Sequence, residues 1–514
     1  MDAIESNSEA VCAPVSEQFK LEDRYNVVTE GQAKVLMPKE NEVFYNPIQQ
    51  FNRDMSIQAI NSWRLMYNQE KLEKIKRKTK NPDAVLPENQ SKIKILEALA
   101  ASGLRSLRYA KEIEGVDYIL ANDLSEEAVE SIKRNAEYND IPESILKTNQ
   151  GDAIDVLYSH RPVEKQFDVI DLDPYGSAAP FIDAAVQAVK SGGLLCVTCT
   201  DMAVLASNNH PETSYAKYGG VAIRSEFCHE LALRLLIHSI QSSATRYQRH
   251  VVPLISCSID FYIRIFIRVF DSPNKAKDSI VNNGLVFNCY GCSSFYTQPF
   301  GVKSLTSSKN FKYSSSHGPV VGTNCPTCNT KLTVGGPCWI SSIQNSEFAN
   351  TMYEAVKANP TKFFTNKRMM GMLKVISEEL DVPFHYTLNE LCSAAKTSCP
   401  PILKITSAIL HLGFKVSIAH SCQCSIKTNA PNEIIWDIIR AYVATVGRSK
   451  KIEDNSVAFN ILKVSPRDDI KFDIHPDANP DSRKIKLVRF QINPEKFWGP
   501  KARHKSSGPQ KRKL

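Results

Sequence analysis

From residue 92 the chain alternates short apolar runs with amphipathic ones. "KIKILEALA", "VDYILANDLS", "FDVIDLDP" and "GLLCVTCTD" are compact, β-branched-rich runs, which predicts strands. Between them, "SGLRSLRYAKEI", "EEAVESIKRNAEYN" and "AAPFIDAAVQAVKSGG" space their apolar residues three and four apart, which predicts helices; "ILKTNQGDAIDVLYS" reads as a further short strand and helix. Strands alternating with helices predict an α/β fold: a parallel sheet covered on both faces. A long helix is expected over "AIRSEFCHELALRLLIHSIQSSA". The β-rich runs "VVPLISCSID" and "FYIRIFIRVF" then complete the sheet with an antiparallel edge.

The flanks are different. Residues 1–40 are polar and are expected to be mobile. "AINSWRLMYNQEKLEKIKRKTK" predicts a helix that ends in a basic face from Lys71 to Lys80. After residue 271 a Pro- and Asn-containing linker leads into a Cys-rich β segment, then helices near 346–380 and 387–411. The expected organisation is a mobile segment 1–40, an α/β domain 41–271, a second domain 280–498 and a basic tail 499–514.

Composition narrows the class. With 514 residues and 42% hydrophobic content, the chain has ample material for a buried core. No apolar run approaches the ~20 residues that span a bilayer, so no membrane contact is expected. The N-terminus reads as neither a signal peptide nor a mitochondrial presequence. The 14 cysteines are therefore expected to be thiols or metal ligands rather than disulfides. The net charge is +8, and the last fourteen residues carry six Lys or Arg and no acid. Such a tail suits nucleic acid or nuclear import, or equally a solvated disordered end. Nothing in the sequence points to a protein partner.

The strand ends carry the chemistry. In open α/β sheets, ligands sit beyond the carboxyl ends of the strands. Glu97 ends the first strand, and small residues through Gly103 let a cofactor approach the backbone. Asp123 ends the second strand, where an acid accepts from ribose hydroxyls. Ser125 is positioned to cap the next helix. Asp152 can accept from an adenine amino group, and the Ala153 amide can donate to a ring nitrogen. The fourth strand ends in Asp173, Pro174 and Tyr175. The Asp173 carboxylate and the Pro174 carbonyl form an acceptor pair for an exocyclic amine. They can hold its lone pair toward an electrophilic methyl group and stabilise the developing positive charge. Tyr175 offers a stacking face for a flipped base. Asp171 reads as a supporting acid, and Asp183 as an ordinary helix residue.

Cys289, Cys292, Cys325 and Cys328 make C-x2-C-x32-C-x2-C, two thiol pairs able to close a tetrahedral, structural Zn2+ site. Cys422 and Cys424, near His420, read as core thiols, and Cys196, Cys199, Cys228 and Cys257 as small buried residues. "RKIKLVRFQINPEKFWGPKARHK" interleaves Arg489, Phe490, Phe497 and Trp498 with cations; the reading is either RNA contact or a local core that holds a C-terminal arm. Lys427 and Thr428, in a wing-like turn, are expected to be available to a nucleic-acid backbone.

Taken together, "NPIQQFNRDMS", "ALAASGLRSLRYA", "NDLS", "GDA", "DLDPYGSAAPFIDAAVQAVKSGGLLCVTCTDMAVL", the four cysteines, "DVPFHYTL" and "RFQINPEKFWGP" resemble the tRNA (guanine-26-N2)-dimethyltransferase family, its eukaryotic branch in particular. The likeness runs from about residue 30 to 500. It implies a class I, Rossmann-like S-adenosylmethionine-dependent methyltransferase fold, with a C-terminal α+β domain containing a four-cysteine zinc ribbon. It implies tRNA as partner, and transfer of one or two methyl groups to N2 of guanosine 26. It adds Arg53 and Arg105 to Asp123, Asp152 and Ala153 as cofactor residues, Arg53 facing the methionine carboxylate, and makes Asp173 the catalytic acid. One departure is Ala178, where the family commonly has proline; it removes no chemical group. The readings weighed against this are methylation of another amine, such as adenine N6 or a glutamine amide, and a tRNA-binding chaperone with a vestigial cofactor site.

Overall fold

The computed structural model describes residues 24–39, 45–307, 310–447, 452–485 and 487–490. Phe497, Trp498, the basic tail and residues 1–23 lie outside them.

A seven-stranded sheet organises the chain. Its strands are β3 (Ile93–Glu97), β4 (Val116–Asp123), β5 (Leu146–Gln150), β6 (Phe167–Leu172), β7 (Val189–Cys199), β8 (Arg249–Ile259) and β9 (Tyr262–Asp271). They lie in the order β5-β4-β3-β6-β7-β9-β8. The strands from β5 through β7 pair in parallel, and β9 runs antiparallel to both of its neighbours. The tight turn at Asp260 and Phe261 forces β8 and β9 to pair. The antiparallel strand is thus the inserted β9, and the edge strand β8 again runs with β7. The order reverses beside β3, which opens a crevice at the carboxyl ends of β3, β4 and β6.

Helices α2 (Leu104–Glu112), α3 (Glu126–Tyr138), α4 (Ala153–Ser159), α5 (Ala179–Ala188) and α6 (Cys228–Arg246) supply the crossovers and cover the sheet. Ahead of them runs α1 (Gln50–Thr79), thirty residues long. Its first half is buried from Phe51 to Trp63 except for a partly exposed Asn61, and Trp63 Nε1 donates to the Gly192 carbonyl at 3.2 Å. Its second half carries the basic face. The expected mobile segment 1–40 needs correction over its described part. Tyr25–Glu30 (β1) and Ala33–Pro38 (β2) form an antiparallel hairpin. Ala33, Val35 and Leu36 are buried, and Asn135 and Asn139 of the α3 region accept from the Leu36 and Lys34 amides at 3.0 and 2.9 Å.

The region after residue 271 has its own architecture but not a separate core. β10 (Asn283–Cys289), β11 (Phe295–Pro299) and β14 (Leu332–Trp339) make a three-stranded antiparallel sheet, from which the hairpin β12 (Gly301–Leu305) and β13 (Phe311–Ser315) extends. Val286, Cys338, Trp339 and Phe384 pack into the same apolar cluster as α5, α6 and β7. Helices α7 (Ser346–Ala358) and α8 (Asn366–Glu378) bury Phe348, Met352, Met369 and Met372 against α1 and β8. A division near residues 271–280 therefore marks a change of topology and does not separate two cores. Gly371 of α8 lies so close to the 487–490 segment that a Cβ there would collide with the Val488 carbonyl oxygen.

Charge fastens the two regions. Lys427 Nζ donates to Glu230 of α6 and to Glu379 at 2.9 Å each, and is 1% exposed. Glu230 also takes Arg234 Nη2 at 2.7 Å, and His420 Nδ1 meets Glu379 at 2.7 Å. Burial alone would raise the Glu379 carboxyl, but Lys427 and the His420 ring hold it low. Lys427 is thus not open to a nucleic-acid backbone. Thr428 is likewise engaged, donating to the Lys415 carbonyl at 2.6 Å. Ser425, Ile426 and Lys427 are all buried, and the charge is tolerated there because two carboxylates meet it. Arg489 also turns inward, donating to the Ala419 and Cys422 carbonyls at 3.0 and 3.2 Å.

Removing one partner of a buried ion pair strands the other. Lys427→Met should destabilise the protein by about 3–5 kcal/mol. Thermal melting checks this, and a variant that melts with wild type would contradict it.

Candidate cofactor and amine-binding site

A cavity of about 810 Å³ opens at the carboxyl ends of β3, β4 and β6. Arg53, Arg105, Asp123, Asp152, Ala153, Asp173, Pro174 and Tyr175 all line it. Residues spread over more than a hundred positions are brought together because each sits at a strand end or at a helix start facing one.

The loop after β3 makes the floor. Ala101 has φ 48° and Gly103 φ 77°, so the chain turns back tightly before α2. Asp123 clamps this loop: its Oδ2 accepts from the Ala101 amide at 2.8 Å and its Oδ1 from the Ser125 amide at 3.0 Å. Each carboxylate oxygen retains a second lone pair for a hydroxyl. Ser125 caps α3 through the Ala128 amide at 3.3 Å, as its position predicts. Asp152 caps α4 through the Ile154 amide at 2.7 Å. Ala153 is the first residue of α4, where the backbone N–H has no intrahelical acceptor.

Arg105 is the electrostatic centre. It is 5% exposed and pairs with Asp173 through Nη2. It also reaches Glu97 at 3.5 Å, Asp171 at 3.8 Å and Ser56 Oγ at 3.2 Å. Asp171 is gripped from the other side by Arg264, at 2.8 and 2.6 Å, and by the Tyr109 hydroxyl at 2.6 Å. Burial would raise the Asp171 carboxyl, but Arg264 and Arg105 keep it below its ordinary range. Asp171 is thus a supporting acid, as its place one turn of the pleat before Asp173 implies. Glu97 behaves oppositely. Burial pushes it to about 8 against the pull of Arg105 and Ser106, and the negative charges of Asp171 and Asp173 add to the rise.

Arg53 lines the cavity, yet its Nε and Nη2 donate to Glu30 at 2.6 and 2.5 Å. Glu30 also takes Arg108 Nη1 at 2.9 Å. The hairpin therefore aims Arg53. Sequence reasoning missed Glu30, which looks like a surface acid before a turn glycine. It also missed Arg264, although an arginine inside "FYIRIFIRVF" is a signal that a buried acid needs a partner.

The Asp173–Ser177 loop is anchored to the end of β7. The Gly176 amide donates to Thr200 Oγ1 at 2.9 Å, and the Thr200 amide to the Gly176 carbonyl at 2.8 Å. Ser177 Oγ meets the Tyr218 hydroxyl at 2.6 Å. Ala178 is fully buried, its amide 3.5 Å from Cys199 Sγ. Tyr175 is half exposed, and Phe261 also lines the cavity.

At a distance from this cavity, Cys289, Cys292, Cys325 and Cys328 form a buried group with all sulfurs within 4.8 Å of one another. Two matching turns present them. The Ser293 amide donates to the Cys289 carbonyl and the Asn329 amide to the Cys325 carbonyl, each at 2.8 Å, with φ 58° at Ser293 and 64° at Asn329. Cys289 Sγ lies 3.3 Å from Cys328 Sγ, and Cys292 Sγ 3.5 Å from Cys325 Sγ. A tetrahedron of thiolates about 2.3 Å from one ion fits this spacing closely. Among the described residues Cys422, Cys424 and His420 make no such group. Cys424 is exposed rather than a core thiol, and Cys228 is partly exposed, while Cys196, Cys199 and Cys257 are buried as expected.

The sheet order and the cavity at its switch point define a class I, Rossmann-like methyltransferase fold. The sequence model of the family described as "N2,N2-dimethylguanosine tRNA methyltransferase" matches residues 23–440. The chain belongs to this family. Relatives named tRNA (guanine(26)-N(2))-dimethyltransferase include one from Mus musculus, 44% identical over 95% of this chain and 78% of its own length. One from Schizosaccharomyces pombe is 41% identical over 93% and 92%. One from Saccharomyces cerevisiae, whose name adds "mitochondrial", is 39% identical over 98% and 96%. Among solved structures, Trm1 from Pyrococcus horikoshii with S-adenosyl-L-methionine superposes with a TM-score of 0.63 at 26% identity, covering 80% of this chain and 98% of that one.

Because the Glu97 carboxyl is raised in the folded protein, it favours folding fully below its unfolded value, and that contribution is lost as pH climbs toward about 8. Glu97→Gln removes this dependence. Melting of the cofactor-free proteins across that range should show wild type losing stability relative to the variant as pH rises. A pH-independent difference would contradict the assignment.

Proposed function

We propose that the protein transfers methyl groups from S-adenosylmethionine to the exocyclic N2 of guanosine 26 in tRNA, once or twice. The observation that carries this reading is the convergence of Asp173, Pro174 and Tyr175 with Asp123, Asp152 and Ala153 on one cavity. Membership of the family and the names of the relatives supply the substrate.

S-adenosylmethionine supplies an electrophilic methyl group when bound. Asp123 would accept from its ribose hydroxyls, Asp152 and the Ala153 amide would address the adenine edge, and Arg53 and Arg105 would counter the methionine carboxylate. The target amine is a weak nucleophile because its lone pair is delocalised into the ring. Asp173 and the Pro174 carbonyl each accept one of its N–H bonds and orient the lone pair. As the N–C bond formed, the sulfonium's carbon–sulfur bond would break with its electron pair kept on sulfur; positive charge would grow on nitrogen, where the fixed Asp173 carboxylate would stabilise it and take the released proton. Arg105 pins the Asp173 carboxylate from the protein side. Tyr175 stacks on the base drawn out of its helix. Methylation of another nucleic-acid amine uses the same acceptor pair, so the discriminating feature is the substrate.

The four cysteines would hold a structural Zn2+, all of its ligands being thiolates. The basic tail supports nuclear placement, and among the described residues no helix is long and apolar enough to cross a membrane.

With labelled S-adenosylmethionine, a tRNA carrying G at position 26 should accept label and its A26 counterpart should not; equal labelling of both would refute the assignment. Asp173→Asn should lower turnover by roughly 10²–10⁴-fold while tRNA still binds. Metal analysis should find zinc, and chelation should lower the melting temperature. A zinc-free protein of unchanged stability would remove the metal claim.

A further inference from the structure

Phe364 is 88% exposed, the highest value of any large apolar side chain among the described residues. Its immediate neighbours are held fast. Phe363 is 3% exposed, and Thr365 donates its amide and hydroxyl to Asp54 at 3.2 and 2.6 Å. The ring is therefore presented to solvent by an anchored backbone.

The place is specific. Asp54 follows Arg53, which lines the cavity. One turn beyond Phe364, Arg368 pairs with Asp260 at 2.7 and 2.9 Å and lies 4.5 Å over the Phe51 ring. Asp260 precedes Phe261, another cavity residue. The segment carrying Phe364 is thus bonded to Asp54 and Asp260, each the chain neighbour of a residue that lines the cavity.

Its own charges are all positive, although Lys357, Arg368 and Lys374 pair with Glu354, Asp260 and Glu378. From Ala355 to Ser377 the chain has no Asp or Glu but has Lys357, Lys362, Lys367, Arg368 and Lys374. Lys362 and Lys367 flank the ring, are exposed, and have no carboxylate partner among the described residues. An outward aromatic ring between unpaired cations matches what a polyanion with stackable faces needs. A base that enters the cavity must first leave its stack, exposing the face of its neighbour.

We propose that Phe364 stacks on the nucleobase next to the target nucleotide, with Lys362 and Lys367 on the flanking phosphates, so that the ring fills the gap left by the displaced base. The identity of that nucleotide rests on the function proposed above; the RNA contact does not.

The test is Phe364→Ala and Phe364→Trp in the full chain, assayed for tRNA binding, for steady-state methylation and with 2-aminopurine at position 26 to report unstacking. Phe364→Ala should lose about ten-fold or more in kcat/KM for tRNA, the scale of one aromatic–base stack. Its KM for S-adenosylmethionine and its melting temperature should match wild type, and its 2-aminopurine signal should fall. Phe364→Trp should restore all three RNA readouts. Lys362→Ala and Lys367→Ala should each reduce the salt dependence of tRNA binding by a slope of about one. Phe364→Ala with wild-type tRNA binding and kcat/KM would overturn the proposal. If wild type methylates a different nucleotide while Phe364→Ala still weakens tRNA binding, the functional reading falls and this contact stands. If guanosine 26 is methylated equally by wild type and Phe364→Ala, the contact falls and the function stands.

Discussion

The ion cage around Arg105 is the constraint on which the site depends. One buried guanidinium faces Glu97, Asp171 and Asp173, carboxylates from the ends of two adjacent strands. Three negative charges at the carboxyl edge of a sheet would repel one another and draw in water. Arg264 and Arg105 hold the Asp171 carboxyl below its ordinary range, Arg105 pairs with Asp173, and the third acid, Glu97, yields by holding its proton more tightly. The price of an aimed carboxylate at residue 173 is therefore a second arginine on β9, which explains a charge in the middle of an otherwise apolar strand. It also explains why the inserted antiparallel strand matters to chemistry that happens at the ends of the parallel ones.

A second set of charges ties this centre to the rest of the chain. Glu30 on the N-terminal hairpin orients Arg53 and Arg108; Arg108 holds Asp54 at 2.6 Å; and Asp54 accepts from Thr365 in the C-terminal half. Hairpin, α1, α2 and the loop before α8 thus meet in one hydrogen-bonded cluster at the side of the cavity. Because these groups are buried, each needs the others to offset its desolvation.

Much of this was legible in the sequence. The alternation of strands and helices identified the sheet, and acids at successive strand ends identified Asp123, Asp152 and Asp173, because local periodicity and turn chemistry report on local structure. The paired C-x2-C spacing identified the sulfur cluster for the same reason. What was not legible depends on which surface meets which. Glu30 reads as solvent-facing until α1 covers it. Lys427 reads as an exposed wing residue until Glu230 arrives from almost two hundred positions away. Arg489 reads as a residue that packs or stacks with the nearby aromatics until the 419–422 turn offers it two carbonyls. In each case the partner of the charge is distant in the chain.

The shared apolar packing between the two regions has a consequence for how this architecture can be divided. Trp339, Phe384 and Cys338 are walls of the catalytic half's own interior, and Met352 and Met369 cover α1 along the stretch that carries Arg53. A chain cut after β9 would leave these faces open to water, so the catalytic sheet is not a detachable module that could be shortened or grafted alone. Sequence change in the C-terminal half is correspondingly bound to the geometry of the cavity it helps to enclose.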